Sequence, residues 1–399
     1  MIHNKPNLIV DLNDEFFIFT VFSCNQDKKL EIIKKKIIKS SGIKNGKIID
    51  QNLVSNLIKN TINEIEDEIN FFFSSTSIII NPADIKCLNI SGYKKLNGSQ
   101  VLNEDITFIL NDIKNIVNAN ENKSSVIHLF NSSFSLDSDN LENLPIGLFG
   151  EFYNQNMSFV LLENNILKNF KMALNEINIS IDKIILKPFA EAVHLIFNNK
   201  YKNNFFIFEL KKNQIQLSLF KNKSFIYSEN FNFGLNLIIK DISKLCSLKE
   251  EEIELLLNEL NLKEILSTDN ESIVDKKYFS ISPYRKIKHK LIFEIISARI
   301  DELIDICINK NSNLRFLKKD IVNIYLKLNS VKYFKNIQFI LENGNYALAL
   351  DFSHNYLDEA YKGTEGGIEL ILNGWEKEAI PVTQIKKSMI SRFFSKLFA

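Results

Sequence analysis

The sequence predicts an α/β fold built from two lobes of similar plan. Three observations carry that expectation. Strand-like and helix-like segments alternate along the chain. A three-strand meander followed by helix and strand occurs twice, once from Leu8 and again from Phe205. With 399 residues, 45% of them apolar, the chain is long enough for two or three domains at roughly 150 residues each.

In the first cycle, Leu8–Val10 and Phe16–Phe22 read as a hairpin and Leu30–Ile38 as a third strand. The turn SSGIKNGKIID follows, with Gly42 and Gly46 where the chain must bend. Asp50 then caps a helix whose Leu53, Leu57, Ile58, Ile62, Ile65 and Ile69 recur at helical spacing. Strands are expected at Ser77–Ile80 and Ile85–Ile90, and Asn103 opens a second amphipathic helix through Ile106, Ile109, Leu110 and Ile113. Ser125–Leu129 and Ser158–Leu162 read as strands, Asn164–Asn175 as a helix, Lys183–Leu186 as a strand and Ala190–Phe197 as a short helix.

The second cycle has Phe205–Glu209, Ile215–Phe220 and Ser224–Tyr227 as its meander. Leu235–Leu245 and Glu250–Leu260 are helical, as is Leu291–Asn309, whose buried stripe is Ile292, Ile295, Ile296, Ile300, Leu303 and Ile304. Thr268–Tyr278 is polar and reads as a loop, and Ile321–Leu328 as a strand. A meander followed by helix and strand, met twice, is the outline of a two-lobed actin-like fold.

Composition removes several function classes. The 49 basic and 48 acidic residues leave a net charge of +1, which argues against nucleic-acid binding by bulk charge. The four cysteines lie far apart without a CxxC, so they are expected as buried thiols rather than a disulfide framework or zinc ribbon. The five histidines form no HxxxH pair, and no metal site is expected. No signal-peptide core and no run of ~18 apolar residues is present, so the expected location is cytoplasmic, with any membrane contact at the surface.

After Trp375 the character changes. WEKEAIPVTQ reads as a linker, with Pro381 preventing helix continuation. Beyond it, Ile385, Met389, Phe393 and Leu397 recur every four residues, and Ile390, Phe394 and Phe398 lie beside them. Lys386, Lys387, Arg392 and Lys396 make the other face purely basic. An amphipathic basic helix of this kind, roughly 21 Å long at ~1.5 Å per residue, is too short to cross a bilayer but suits lying in its anionic surface. Each basic residue there adds about 1 kcal/mol.

Several segments resemble the bacterial cell-division protein FtsA. SSGIKNGKIID resembles its SRGI-x-x-G-x-I-x-D stretch, and NISGYKKLNGSQVLNEDITFIL, with Asp105 opening a helix, resembles the region of its extra small domain. NLPIGLFGEFYNQNMSFVL is similar to its NPIGM-x-G-x-R-L turn: Pro145, Ile146, Gly147 and Gly150 match, while Phe152-Tyr153 replace Arg-Leu. FGLNLIIKDIS matches at Gly234, Asp241 and Ile242, and ISARIDEL at Arg299 and Glu302. The phenylalanine-containing basic end resembles the membrane-targeting helix of the family.

The resemblance implies a two-lobed actin-like fold, the duplicated ribonuclease-H-like plan, with an inserted SHS2-like small domain. It assigns residues 1–82 plus 163–199 to subdomain IA and 83–162 to the inserted subdomain IC. Residues 200–240 plus 316–372 become IIA, 241–315 become IIB, 373–384 a linker and 385–399 the membrane helix. It also implies partners: the C-terminal tail of FtsZ, bound within about 238–310, an anionic membrane, other division proteins and further copies of the chain in filaments or oligomers. The implied location is the inner face of the cytoplasmic membrane at the division site.

The chain departs from the family where nucleotide would sit. Backbone N–H groups approach phosphate oxygens best where glycine leaves room. The DIGT/S start is VDLNDEFF here: Asp11 is kept, while Asn13 and Asp14 replace glycine and the hydroxyl residue. The DIGGGTTD hairpin corresponds to FELKKNQIQ: Glu209 stands for the first Asp, Lys211, Lys212 and Asn213 replace the glycines, and Gln216 the last Asp. The TGGGA adenosine loop corresponds to YLKLNSV around Lys327 and Leu328. Independently of any alignment, no glycine lies between Gly150 and Gly234 or between Gly234 and Gly344. Asp11, Glu209 and Gly234 are therefore read as remnants of an ATP pocket, and Lys211 and Lys212 as solvated turn residues. No cofactor is expected, any Mg-ATP binding would be weak, and no catalytic residue is assigned. The competing classes are a working actin-like ATPase, which the missing glycines oppose, and a pilus-assembly scaffold, for which a basic amphipathic end is not expected.

Overall fold

The structure is a computed structural model whose described residues are 5–24, 30–198, 204–268, 271–317, 323–328, 334–343 and 356–379. The expected membrane helix, residues 385–399, lies outside the described residues, as does Ile321 at the start of its expected strand.

Along the first half, the strands are β1 (Asn7–Leu12), β2 (Phe16–Cys24), β3 (Leu30–Lys39) and the two-residue pair β4 (Ile43–Lys44) and β5 (Lys47–Ile48). Then come α1 (Gln51–Ile69), β6 (Ser75–Ile80), β7 (Lys86–Lys95), α2 (Asn103–Asn120), β8 (Ser124–Leu136), β9 (Asp139–Leu141) and β10 (Phe152–Glu163). The half closes with α3 (Asn164–Asn175), β11 (Ser180–Leu186) and α4 (Lys187–Phe197). The second half runs β12 (Phe205–Leu210), β13 (Ile215–Lys221), β14 (Ser224–Phe231), α5 (Asn236–Cys246), α6 (Glu250–Glu259), α7 (Leu262–Thr268) and α8 (His289–Ile304). It ends with β15 (Asn323–Leu328), α9 (Phe334–Asn343) and α10 (Tyr356–Asn373).

The main sheet of the first half has the order β11-β6-β1-β2-β3. β1 is antiparallel to β2 and β2 to β3, while β6 runs parallel to β1 and β11 to β6. The sheet of the second half has the order β14-β13-β12-β15, and β15 is parallel to β12. In each case the first strand of a meander sits between its second strand and the strand that returns after a helix. The duplicated α/β plan expected from the sequence is thus present in the strand order, and the fold is actin-like.

By contacts the described residues form two units, one drawn from 5–198, 218–228 and 357–379 and the other from 204–217 and 229–356. The sequence reading assigned 357–372 to the second lobe. α10 instead belongs to the first unit, for a steric reason. A Cβ on Gly366 would stand 1.8 Å from the Ala190 carbonyl oxygen, and one on Gly367 within 2.8 Å of Ile79 and Ile9. This Gly-Gly pair lets α10 lie against α4 and the main sheet.

Within the first unit, residues 86–163 form a separate small layer. Its four-stranded antiparallel sheet, β7-β10-β8-β9, packs on α2 through a core of its own that includes Ile106, Ile109, Leu110, Met157 and Phe159. β8 and β10 are much longer than their apolar runs suggest, because each is paired over nearly its whole length. Local predictions hold at α1, where the Asp50 side chain accepts the Leu53 N–H, and at α2, where Asp105 accepts the Leu102 N–H.

The linker expectation for 373–384 is corrected over its first part. Asn131 N–H donates to the Lys377 carbonyl (2.9 Å) and Ala379 N–H to that of Leu129 (2.6 Å), so this stretch pairs with the β8 edge. Glu378 and Ala379 are fully buried. Glu378 Oε1 accepts from His128 Nδ1 at 2.6 Å, and its Oε2 faces Lys183 Nζ at 3.6 Å. Leu186 N–H donates to His128 Nε2 (3.2 Å), which places the ring proton on Nδ1. Burial alone would raise the Glu378 carboxyl, but Lys183 and His128 outweigh it and hold the group below its ordinary value. Trp375 Nε1–H completes the anchor by donating to the Lys223 carbonyl at 2.7 Å.

In the second unit, Arg299 of α8 grips Asp241 of α5 with two donors, at 2.5 and 2.9 Å, so two residues singled out in the sequence join neighbouring helices. α8 ends at Ile304 and passes into a π-helical turn over Asp305–Asn309, where a single helix to Asn309 was expected. Glu252 of α6 accepts from the amides of Lys249, Ile281 and Ser282. Burial works to raise its carboxyl, and the Ser282 hydroxyl, which also donates to it, together with these amides overrides that and brings the value down to about 2.

Candidate functional site

The residues read from the sequence as belonging to an ATP pocket lie in different units, and each group is described by itself. In the first, β1 carries Leu8, Ile9 and Val10 into the core and delivers Asp11 at its end, with 0% exposure. A buried carboxylate needs a counter-charge. Lys187 provides it, its Nζ 2.9 Å from Asp11 Oδ2, and that side chain is itself only 6% exposed. Lys187 is the first residue of α4, ahead of Pro188, which suits a helical first turn because it has no N–H to satisfy. Asp11 Oδ1 accepts from Asn13 Nδ2 at 3.3 Å.

The turn between β1 and β2 uses its own side chains as acceptors. Asn13 Oδ1 accepts the N–H groups of Glu15 (3.0 Å) and Phe16 (2.9 Å), closing an Asx turn. The Asp14 carboxylate accepts those of Asn45 (3.0 Å) and Gly46 (2.8 Å). Side chains thus take up four amides next to the turn.

In the second unit, the parallel register puts Glu209 of β12 opposite Lys327 of β15. Their side chains meet at 3.0 Å, and Lys211 approaches the other Glu209 oxygen at 3.3 Å. Glu209 and Lys327 are both buried. Lys212 pairs with Glu254 of α6 at 2.7 Å. Gly234 sits where the chain enters α5. A Cβ there would meet the Lys211 carbonyl oxygen at 2.3 Å, and the amides of Leu235 and Asn236 donate to the carbonyls of Lys211 and Lys212. The glycine permits a close approach of the β12–β13 turn to the helix start.

The structure therefore places Glu209 and Gly234 beside the same turn, and Asp11 in the other unit. Sequence reasoning did not single out Lys187, because the expected helix began at Ala190. Pro188 was the available signal, since proline belongs in a first helical turn. A separate cavity of about 280 Å³ in the first unit is lined by Phe22, Phe71, Phe73 and Ile371 near the start of β1, away from Asp11.

No family model matches the chain. Curated relatives do. FtsA of Buchnera aphidicola subsp. Schizaphis graminum is 23% identical over 284 residues, covering 71% of this chain and 67% of the relative. FtsA of Rhizobium meliloti is 20% identical over 291 residues, covering 69% and 63%. FtsA of Streptococcus pneumoniae serotype 2 is 20% identical over 288 residues, covering 69% and 60%. These matches span about two thirds of the relatives' length. Among solved structures, the PilM-PilN type IV pilus biogenesis complex aligns over 92% of this chain and 98% of that one, with a TM-score of 0.55 and 12% identity, which speaks to the fold alone.

The strand order and this alignment define an actin-like fold. Within that class the chain is a divergent relative of the cell-division protein FtsA.

Proposed function

We propose that the protein is a non-catalytic adaptor of the FtsA type. It tethers FtsZ filaments to the inner face of the cytoplasmic membrane at the division site, with help from self-association and other division proteins. The similarity to proteins named as cell-division FtsA supports the division role. In this reading residues 86–163 are the counterpart of the inserted small domain, and the surface that meets the FtsZ tail lies within 238–310.

The observation that carries the non-catalytic part is the Asp11–Lys187 pair. Magnesium-assisted phosphoryl chemistry needs carboxylates that hold a metal and N–H donors that face phosphate. Asp11 faces an ammonium, Glu209 faces two, and the amides beside Asn13 and Asp14 have side-chain acceptors. These residues do not fit a magnesium-nucleotide complex.

The basic, phenylalanine-bearing stripe of residues 385–399 supports the membrane role, and no helix among the described residues is long and apolar enough to cross a bilayer. Flotation with anionic liposomes tests it. The full chain should float and recruit an FtsZ C-terminal tail peptide, while a protein ending at Thr383 should stay at the bottom. Equal flotation of the two would remove the anchor from the account.

A further inference from the structure

The reading of a nucleotide-independent adaptor can be taken one step further, and the step rests on that reading. We propose that Lys187 is a resident cation, doing for Asp11 what a divalent metal would otherwise do, and that Asn13 and Asp14 are resident acceptors for the neighbouring amides. The first unit is then liganded by its own side chains, and its conformation does not respond to magnesium or nucleotide.

Lys187 occupies an unfavourable position unless it has this role. A positive charge at a helix N-terminus opposes the helix dipole, and burial removes its hydration. Both penalties fall on Lys187, which opens an 11-residue helix and is buried. The Asp11 carboxylate 2.9 Å away offsets them. Asp11 in turn has no exposure, and a buried carboxylate needs a facing cation to offset its lost hydration. The ammonium and the carboxylate therefore require each other.

The acceptors show the same substitution with opposite sign. An anion would be drawn to the amides of Glu15, Phe16, Asn45 and Gly46. Asn13 Oδ1 takes the first two and the Asp14 carboxylate the second two. The second unit repeats the cation half independently, with Lys327 and Lys211 on Glu209. In each unit one of these carboxylates faces lysine from the same unit.

Thermal unfolding of the full chain tests this, comparing wild type, Lys187→Met, Asp11→Asn and the double variant Asp11→Asn/Lys187→Met. Each is melted in EDTA, in magnesium chloride and in magnesium chloride with ATP. Wild type should melt at one temperature in all three. Lys187→Met should melt roughly 10 °C lower in EDTA and regain part of that loss in magnesium, because Asp11 then has a cation to face. The double variant, without the buried charge, should melt above Lys187→Met and ignore magnesium.

A wild-type melting temperature raised by magnesium-ATP would overturn the proposal. So would a Lys187→Met protein that keeps the wild-type temperature or whose loss magnesium leaves unchanged. If Lys187→Met does not fold, the double variant decides: recovered folding supports the pairing and failure to fold contradicts it. These melts are independent of the liposome and tail-peptide results, so the resident cation and the adaptor role can fail separately.

Discussion

Gly366→Ala should destabilise the first unit by about 2–3 kcal/mol, the upper part of the range for overpacked sites. The sign is the informative part. Gly to Ala inside a helix ordinarily stabilises by about 0.5–1 kcal/mol, because the unfolded chain loses freedom and the helix does not. Here the new methyl would stand 1.8 Å from the Ala190 carbonyl oxygen and 3.1 Å from the His194 nitrogen, both backbone atoms of α4. Neither can turn aside as a side-chain tip would. α10 must move off α4, and the Gly367 contacts to Ile79 and Ile9 open with it. Gly363, in the same helix, is the control. The atoms nearest to a Cβ there belong to the Lys187 and Glu191 side chains, at an ordinary 3.5–3.6 Å, so Gly363→Ala should be neutral or mildly stabilising. Urea denaturation of the two variants beside wild type reads the difference, and equal midpoints would show that α10 does not pack on α4 this closely.

Glu378→Ala should cost about 3–5 kcal/mol, the usual consequence of removing one partner from a buried ion pair. It leaves the buried Lys183 ammonium and the His128 Nδ1–H without the carboxylate they face. It also weakens the pairing of 377–379 with β8, the last described contact before the basic tail. Proteolytic cleavage just after Trp375 should accelerate in this variant. Glu378→Gln should cost less, because its carbonyl oxygen can still accept from His128. Glu378→Gln/Lys183→Met should recover part of the loss by removing both charges.

The pH dependence has a definite sign. The folded carboxyl lies below its ordinary value, so its contribution is complete above the ordinary carboxylate range. It is lost as pH falls through the lowered folded value. The acid limb of the wild-type stability curve should therefore flatten in Glu378→Gln.

Much of the fold was legible because its signals are local. The Phe16–Phe22 run, the Asp50 cap and the apolar spacing of α1 and α8 each state their structure within a few residues. The helical character of the Gly366–Gly367 stretch was legible, but its packing on α4 was not, since the closeness of Ala190 to Gly366 appears only in the folded chain. The polar halves of β8 and β10 were missed because partner strands, not apolar periodicity, keep them extended. For the candidate site, the sequence showed only what is missing: the absent glycines could be counted. What fills the place of the lost features was not visible. Lys187 lies 176 residues from Asp11, and Glu378 lies 250 from His128, so only the folded chain brings those charges together.

The central claim is that this actin-like chain does its work without nucleotide. Isothermal titration of the full-length protein with magnesium-ATP tests it most directly. The account predicts no saturable heat across micromolar concentrations of ligand. A binding isotherm with a micromolar Kd, abolished by Asp11→Asn, would contradict it.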